Sequence, residues 1–377
     1  MRRILIITGR YLPGYRDGGP VRSIENLTEW MGDEYDFRIL CLDRDHGDEV
    51  PYPGIITDGY NEVGKAKVRY VPSFSEKTIE ELSSDADIVY VCGPYGDYAR
   101  MAMGLKKKGK IAAPLYVASM GSFSPEAFRI KGLKKKLYIS YMKKSGMFDG
   151  VTWSVTSMRE AKELGDIVGK DSRCVVAADL PRRGTTEHSH IKEEGELKLV
   201  FLSRICRKKN LDAIPDILKL ADENIHIKLD IYGTPEDRQY LKQCLYKLDN
   251  LKKTHPYCKW EYKGEADSTK VPQIFAAYDA FLFPTLGENY GHVIAESLSA
   301  GCVPVISDAT PWLDLGKKGC GYVCSDVMTY ARAIEDLAAM SEEKIVKMQE
   351  NCYSYITAVN ERSVTKSGYR TIFGSSC

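Results

Sequence analysis

Long apolar runs are missing from this sequence of 377 residues. Without a run of about 20 such residues, no helix is expected to span a bilayer. The apolar stretch 4–7 is too short for the core of a secretory signal and gives way to Gly9 and Arg10, so it predicts a buried strand. The sequence also lacks an excess of charge of one sign. Its net charge is +1 at pH 7, which offers little attraction to nucleic acid. We therefore expect a cytoplasmic protein without a nucleic-acid partner.

Metal-binding patterns of cysteine and histidine are also lacking. The 11 cysteines are odd in number and scattered, and the nearest pair, Cys320 and Cys324, does not have CxxC spacing. The six histidines form no set of ligands. We expect reduced thiols packed as small apolar side chains, and no bound zinc.

What the sequence does contain is an alternation of short β-rich runs and helical patterns. Its first part predicts a helix over 20–31 and strands over 3–8, 37–42, 68–71, 88–92 and 115–118. Its second part predicts helices over 212–221, 235–248, 271–278 and 293–300, and strands over 198–203, 227–232, 260–262, 280–283 and 303–306. Such alternation is typical of parallel sheets covered by helices. The predicted fold class is α/β, with two Rossmann-like domains facing each other across a cleft.

The length of the chain suits two domains better than one core. The alternation lapses in a polar stretch that ends near 196, which indicates a domain boundary. We place the first domain at 1–182, a linker at 183–196 and the second domain at 197–355. The segment 356–377 is expected to return to the first domain.

The segment 284–296 turns through glycines after a predicted strand and then opens a helix. Backbone N–H groups at such a helix start suit a diphosphate. Glu288 lies on the loop and Glu296 lies in the helix, so one carboxylate can hold sugar hydroxyls while the other reaches a ribose. Glutamates at this spacing are common, so spacing alone does not favour a function. The neighbouring candidates for binding are Asn289, Tyr290, Gly291, His292 and Val293, where His292 either donates to phosphate or sugar or caps the helix.

A cationic loop follows the strand predicted at 198–203. Arg204 can hold a phosphate through two parallel hydrogen bonds, and Lys209 adds a point charge. A solvated basic loop would look the same in isolation. Lys263, next to a predicted strand, is a further candidate, because the backbone around it could select a base.

Taken together, the two segments resemble the retaining GT-B glycosyltransferases of glycosyltransferase family 4. Glu288 and Glu296 match the EX7E motif of that family, and 297–306 is similar to the segment that follows it. The resemblance implies a UDP- or GDP-linked sugar donor, with Glu288 at the sugar and Glu296 at the ribose. Arg204 and Lys209 are then the pair that holds the diphosphate. It also implies that no metal ion or other cofactor is required.

The resemblance makes the first domain the acceptor side. Its first loop is not a GxGxxG fingerprint, which disfavours a nicotinamide enzyme, but Gly18 and Gly19 permit close approach of a ligand. Many members of the family carry a histidine in a segment that corresponds to 116–126 here, and this chain has none there. The stretch Asp43-Arg44-Asp45 has the DxD spacing of metal-dependent transferases, but it lies far in sequence from the phosphate candidates. We interpret it as unrelated to catalysis.

A basic segment begins at Ser124 and Pro125, which are good helix-start residues. Within it, apolar residues recur at helical spacing and predict an apolar stripe, formed by Ile130, Leu133, Leu137 and Tyr141. One interpretation is contact with anionic lipid headgroups, and the other is an ordinary surface helix packed by this stripe. The cations named for the membrane interpretation are Arg129, Lys131, Lys134 and Lys135.

The resulting prediction is a retaining, metal-independent glycosyltransferase that moves a hexose-type sugar from a nucleotide diphosphate donor. The acceptor would be a glycan or a polyprenyl-linked glycan in surface polysaccharide biosynthesis, which fits a peripheral position at the inner face of the membrane. Retention can proceed by front-side attack, which needs no dedicated base. Two alternatives stay open: a nucleotide-sugar epimerase of GT-B fold, and a non-catalytic sugar-nucleotide-binding protein.

Overall fold

The computed structural model describes residues 1–125, 132–193, 195–361 and 363–374. The chain divides into two compact units. The first contains Met1–Leu180 together with the C-terminal helix Ser363–Phe373, and the second is Pro181–Glu361.

The first unit is built on a sheet in which every neighbouring pair is parallel except β3 with β4. The strand order is β3-β4-β2-β1-β5-β6-β7-β8. The strands are β1 (Arg2–Ile7), β2 (Tyr35–Leu42), β3 (Asn61–Val63), β4 (Ala66–Val71), β5 (Ile88–Cys92), β6 (Leu115–Ala118), β7 (Val151–Val155) and β8 (Cys174–Val176). Its helices are α1 (Gly19–Met31), α2 (Glu76–Ser83), α3 (Asp97–Lys107), α4 (Gly132–Lys144), α5 (Met158–Val168) and the C-terminal helix.

The second unit contains a parallel sheet with the order β11-β10-β9-β12-β13-β14. Its strands are β9 (Glu196–Leu202), β10 (His226–Tyr232), β11 (Cys258–Gly264), β12 (Ala280–Phe283), β13 (Val303–Ser307) and β14 (Tyr322–Cys324). Its helices are α6 (Ile214–Leu218), α7 (Arg238–Leu251), α8 (Val271–Ala276), α9 (His292–Ser299), α10 (Val327–Ala339) and α11 (Glu342–Glu361). Every residue of β12 and β13 is buried, as expected for a parallel sheet covered on both faces.

In each sheet, the direction in which successive strands are added reverses once, at the first strand of the sheet. The chain builds from β1 through β2 and β4 on one side and then crosses to β5 on the other. It repeats this in the second sheet, where β9 lies between β10 and β12. Ligands in such sheets bind outside the carboxyl ends of the strands at this reversal. In the second unit the two loops that flank the reversal follow Leu202 and Phe283.

Two helices of the second unit differ from the predicted ranges by three residues at one end or at both. Instead of 235–248, α7 begins at Arg238, because the Asp237 side chain accepts hydrogen bonds from the amides of Gln239 and Tyr240 at 2.8 and 3.1 Å. Pro235 instead forms a parallel bridge with Ile205. The helix predicted over 212–221 is only Ile214–Leu218 and follows a turn of 3-10 helix.

The C-terminal helix packs its aromatic end into the first unit. The Phe373 ring contacts those of Tyr35, Phe37 and Tyr90, with centroids 5.4, 5.8 and 5.9 Å apart. Arg2 Nη1 donates to the Phe373 carbonyl oxygen at 2.9 Å. Of the segment predicted to return to the first unit, 356–361 instead completes α11 of the second.

The stretch predicted as a linker is bonded to the second unit. The amides of Thr186 and Ser189 each donate to a backbone carbonyl there at 2.8 Å. His190 Nε2 lies 3.4 Å from a buried carboxylate oxygen of Asp279, and its Nδ1 lies 3.3 Å from Lys198 Nζ. Burial lowers the pKa of His190 even though Asp279 opposes the shift, and Lys198 adds to the lowering. A neutral ring fits this geometry, because Nδ1 can then accept from the ammonium group.

The basic helix departs from its prediction. Arg129, Ile130 and Lys131 lie outside the described residues. The packed-stripe interpretation is wrong for Leu133, Leu137 and Tyr141, which are 74%, 64% and 62% exposed. The helix α4 packs instead through two residues of its other face, Ile139 and Met142.

The described part of the chain contains free thiols, most of them buried. Each cysteine there is free, and burial raises the pKa of the Cys244 thiol to about 11. No helix in those ranges combines the length and the apolar character needed to cross a membrane.

Candidate functional site

Lys209 and Glu288 meet at the carboxyl ends of β9 and β12. Lys209 Nζ forms an ion pair with Glu288 Oε1, and the two side chains are only 12% and 10% exposed. Glu288 also accepts a hydrogen bond from the Thr285 hydroxyl at 3.1 Å. The ammonium group lies 5.3 Å from the centroid of the Phe283 ring. The structure thus brings together two residues that are 79 positions apart in the chain.

Backbone contacts hold these two loops to each other. The Leu286 amide donates to the Lys208 carbonyl oxygen at 2.8 Å, and the Thr285 hydroxyl is 3.2 Å from the same oxygen. Asn210, in the left-handed region at φ 58°, donates from Nδ2 to the Pro284 carbonyl oxygen at 3.0 Å. The positions of Lys209 and Glu288 are therefore set by the backbone as well as by their own charges.

Arg204 lies on the same loop as Lys209 but pairs with a different acid. Its Nη1 donates to Glu236 Oε1 at 2.5 Å, and both side chains are nearly half exposed. Glu236 is held in place because its amide donates to the Ile205 carbonyl oxygen at 3.1 Å. Glu236 was missed at the sequence level, since the prediction of a helix over 235–248 had placed it in a first helical turn.

The helix α9 begins at the glycine turn as predicted from the sequence. Its N-cap position, Gly291, has φ 82° and no side-chain capping hydrogen bond. This left-handed conformation favours glycine, and a side chain added at Gly291 would lie 3.0 Å from Ile294 Cδ1, which would have to shift slightly. Glu296 is 8% exposed within this helix, while Asn289, His292 and Val293 are half-buried on its loop and first turn.

Trp312, which the sequence did not single out, also holds this loop in place. Trp312 Nε1 donates to the Tyr290 carbonyl oxygen at 2.6 Å, and the two rings lie 5.3 Å apart in an edge-on arrangement. Trp312 is 4% exposed. The Glu288 amide donates to the neighbouring Ala309 carbonyl oxygen at 3.2 Å. No periodicity or motif marks Trp312, because its role depends on where β13 ends.

Lys263 is not brought to the Lys209–Glu288 pair by any contact of the described residues. It is the penultimate residue of β11, two strands away from β9, and it pairs with Glu261 while lying 3.8 Å from Asp230 Oδ2. The hydrogen bond to Glu261 raises the pKa of Lys263. Nearby, Tyr262 donates to the Gly233 carbonyl oxygen at 2.8 Å.

The glycine loop of the first unit has the backbone that the glycines permit. Gly18 has φ 68° and precedes α1, and a side chain added at Gly19 would meet nothing within 4 Å. The adjoining carboxylate of Asp45, 6% exposed, accepts from the amides of Tyr15 and Arg16 at 3.1 and 3.4 Å. Asp43 accepts from Arg44 Nε at 2.8 Å. Both acids of the DxD-like stretch thus have protein partners, and no cluster of three metal-ligating side chains occurs in the described part of the chain.

A buried acid, Glu160, supports residues 119–121 within the histidine-free segment 116–126. Its carboxylate accepts from the Ser119 hydroxyl and the Gly121 amide, both at 2.6 Å. The other oxygen accepts from the Thr156 amide and hydroxyl at 2.7 and 2.8 Å. Between the first two donors, Met120 is held at φ 50°. Glu160 was missed because nothing in the sequence separates it from other helix-start acids.

Comparison with known proteins agrees with the fold. Residues 183–357 match the family model described as glycosyl transferases group 1. This region contains Arg204, Lys209, Glu288 and Glu296. No curated protein matches the chain by sequence.

Solved structures resemble the whole chain. Trehalose-6-phosphate synthase OtsA has a TM-score of 0.72 and 11% identity, covering 99% of both chains. HepE from Anabaena, in complex with UDP and glucose, has a TM-score of 0.69 and 13% identity over 99% of both chains. WaaG, a glycosyltransferase involved in lipopolysaccharide biosynthesis, has a TM-score of 0.65 and 13% identity, covering 99% of this chain and 100% of its own. The fold is GT-B, and together with the family match it supports a glycosyltransferase.

Proposed function

We propose that this protein is a retaining, metal-independent glycosyltransferase of the family 4 type. It transfers a hexose-type sugar from a UDP- or GDP-linked donor to a glycan or polyprenyl-linked acceptor, in surface polysaccharide biosynthesis at the inner face of the membrane. The observation that carries the proposal is the Lys209–Glu288 pair between the two loops of the second unit. It unites the cationic segment and the EX7E segment at the strand ends where ligands of such sheets bind.

The reaction breaks the bond between the anomeric carbon and the β-phosphate oxygen. The acceptor oxygen attacks the same face of the sugar, and the new glycosidic bond forms with retained configuration. The acceptor proton passes to the departing phosphate oxygen, so atoms and charge balance without a separate base. Negative charge grows on the diphosphate, and fixed cations lower the barrier by stabilising it.

Lys209 and Arg204 are the proposed cations for that charge. In the structure each already has a carboxylate partner, Glu288 and Glu236 respectively. A diphosphate would compete with these carboxylates for the two cations. Glu288, relieved of Lys209, could then accept hydrogen bonds from sugar hydroxyls, which is the role that the family resemblance implies for it.

Metal independence is supported by the hydrogen bonds that the two acids of the DxD-like stretch already accept from the protein. Asp45 accepts hydrogen bonds from three backbone amides, and Asp43 accepts from Arg44. The cations at the strand ends of the second unit provide an alternative source of charge stabilisation. Transfer is expected to persist in EDTA, and its loss on chelation would contradict this part of the proposal.

Incubation of the full chain with labelled nucleotide sugars tests the activity. UDP-glucose is the first donor to use, since HepE is a structural neighbour that was solved with UDP and glucose. Transfer or slow hydrolysis that releases the nucleoside diphosphate, with retained configuration in the product, supports the proposal. An epimerised donor indicates the epimerase, and donor binding without turnover indicates a non-catalytic binding protein.

Trp312→Phe should weaken donor binding more than it slows the chemical step. The substitution removes the hydrogen bond to the Tyr290 carbonyl oxygen while keeping an aromatic ring. A lost hydrogen bond of about 1 kcal/mol corresponds to a rise of about fivefold in the donor KM, with kcat changed by less than about twofold. Initial rates over a range of donor concentrations measure both constants.

The matched control for this variant is Trp260→Phe. Trp260 Nε1 has no hydrogen-bond partner among the described residues, so the same chemical change should leave the donor KM unaltered. Equal KM values for Trp312→Phe and the unmodified protein would show that the hydrogen bond does not position the loop.

A further inference from the structure

Arg204 and Glu236 form an ion pair just beyond the carboxyl end of β9, and the backbone on both sides of this pair is fixed. The Ile205 amide donates to the Thr234 carbonyl oxygen at 2.9 Å, and the Glu236 amide donates to the Ile205 carbonyl oxygen at 3.1 Å. Ile205 is fully buried and also forms a parallel bridge with Pro235. Backbone contacts therefore hold the two charged residues opposite each other, independently of the ion pair itself.

The side chains of this pair can exchange partners more readily than those of the Lys209–Glu288 pair. The Arg204 and Glu236 side chains are 46% and 47% exposed, whereas those of Lys209 and Glu288 are 12% and 10% exposed. Within the described part of the chain, Arg204 is the only side chain that contacts the Glu236 carboxylate. Glu236 can therefore leave Arg204 by rotation of its side chain, without any movement of the backbone.

We infer that Glu236 is a resident counter-ion of Arg204 that lowers the affinity of the protein for nucleoside diphosphates and so limits inhibition by this product. The inference rests on the proposed function, which assigns Arg204 to the diphosphate of the donor. A diphosphate that binds Arg204 must displace the carboxylate, so only the fraction of molecules with a free Arg204 is competent to bind it. When the diphosphate leaves, Glu236 pairs with Arg204 again and opposes rebinding.

Exposure to solvent limits the size of this effect. Water and salt screen the attraction between two half-exposed charges, so the Arg204–Glu236 contact should be as weak as other exposed ion pairs. Replacement of Glu236 by glutamine is therefore expected to tighten binding of a nucleoside diphosphate by about two- to fivefold. Inhibition of donor turnover by the same diphosphate should strengthen by a similar factor, and added salt should reduce the difference between the two proteins.

Isothermal titration calorimetry of the full chain with UDP and with GDP tests the inference. Arg204→Ala should weaken binding of the diphosphate, because it removes the cation. Glu236→Gln should tighten binding in the unmodified background but not when it is added to Arg204→Ala, since Glu236 then has no cation to occupy. Uridine carries no phosphate and should displace a bound diphosphate from neither protein more readily once its competitor's own affinity is allowed for. A general change in the structure of the site would alter the affinity for uridine as well.

The matched control for Glu236→Gln is Asp249→Asn. Asp249 forms an ion pair with Lys252 at 3.2 Å, and the two side chains are 60% and 49% exposed. Glu236 precedes the start of α7, whereas Asp249 lies in its last turn. A helix of 14 residues is about 21 Å long, so the control removes a similar carboxylate at a distance from Arg204. It should leave the affinities for UDP and GDP unchanged.

Two results would overturn the inference while leaving the proposed function intact. In the first, Arg204→Ala weakens diphosphate binding but Glu236→Gln does not tighten it. In the second, Glu236→Gln tightens binding to the same extent with and without Arg204, which would indicate general repulsion and no counter-ion. Failure of the unmodified protein to bind either UDP or GDP is distinguishable from both results, because it would contradict the proposed function and the inference together.

Discussion

Lys209→Ala should lower kcat for sugar transfer by about 100- to 1000-fold. A hydrogen-bond donor that is placed to stabilise the charge developing on a leaving group typically raises kcat by a factor of this order. Lys209 is 12% exposed, so its charge is little screened by water, and the departing diphosphate would lie against it. Lys209→Arg should retain more activity than the alanine variant, because it keeps the charge. The matched control is Lys208→Ala, which changes the adjacent cation and should alter kcat by less than about threefold.

The same substitution also measures how much the ion pair stabilises the protein in the absence of a nucleotide-sugar donor. Lys209→Ala leaves the Glu288 carboxylate, 10% exposed, without its cation, and should destabilise the second unit by about 1–3 kcal/mol. Adding Glu288→Gln to Lys209→Ala should recover part of that stability but none of the activity. Thermal unfolding of both variants and of the single Glu288→Gln variant completes a double-mutant cycle. If the stability losses of the two single variants add up in the double variant, the ion pair does not stabilise the protein. Normal sugar transfer by Lys209→Ala would in addition contradict the proposed site.

Glu160→Ala should strongly destabilise the first unit. The carboxylate accepts four hydrogen bonds while only 2% exposed, and its removal takes the acceptor from two backbone amides. Buried donors that lose their acceptor cost about 1–3 kcal/mol each, so a total of about 3 kcal/mol or more is expected. For a unit of this size, that corresponds to a fall in Tm of roughly 6–12 °C. Differential scanning calorimetry measures the transition.

The matched control for Glu160 is on the same helix. Glu163 forms an ion pair with Arg159 at 3.0 Å, and Arg159 is 69% exposed. Glu163→Ala should therefore cost less than about 1 kcal/mol. Hydrogen exchange adds a local readout, because the Gly121 and Thr156 amides should lose protection in Glu160→Ala only. A Tm within about 2 °C of the unmodified protein would mean that the network is not stabilising.

Local sequence patterns predict some elements of this fold better than others, for physical reasons. The strands Ile88–Cys92, Leu115–Ala118 and Ala280–Phe283 were predicted to the residue, because continuous apolar runs bounded by a polar residue, glycine or proline define a buried parallel strand. The start of α7 was missed by three residues, since Pro235 pairs with a distant residue, Ile205. A contact between remote segments leaves no local pattern from which it could be predicted.

The apolar stripe of α4 shows the same limit in another form. Helical periodicity correctly identified Leu133, Leu137 and Tyr141 as one face, but it could not tell whether that face points inward or outward. Ile139 and Met142 form a second apolar face of the helix, and it is this face that is buried in the core. The choice depends on the shape of the space that neighbouring elements leave.

The sequence by itself determined the α/β class and the segments that contain Lys209 and Glu288, because hydrophobic period and motif are local properties. Only the tertiary structure decided which side chains meet. It paired Lys209 with Glu288 and Arg204 with Glu236, placed Trp312 against Tyr290 and buried Glu160 beneath Met120. These contacts join residues far apart in the chain. They arise because parallel strands bring their carboxyl ends to one edge of a sheet, whatever the sequence distance between them.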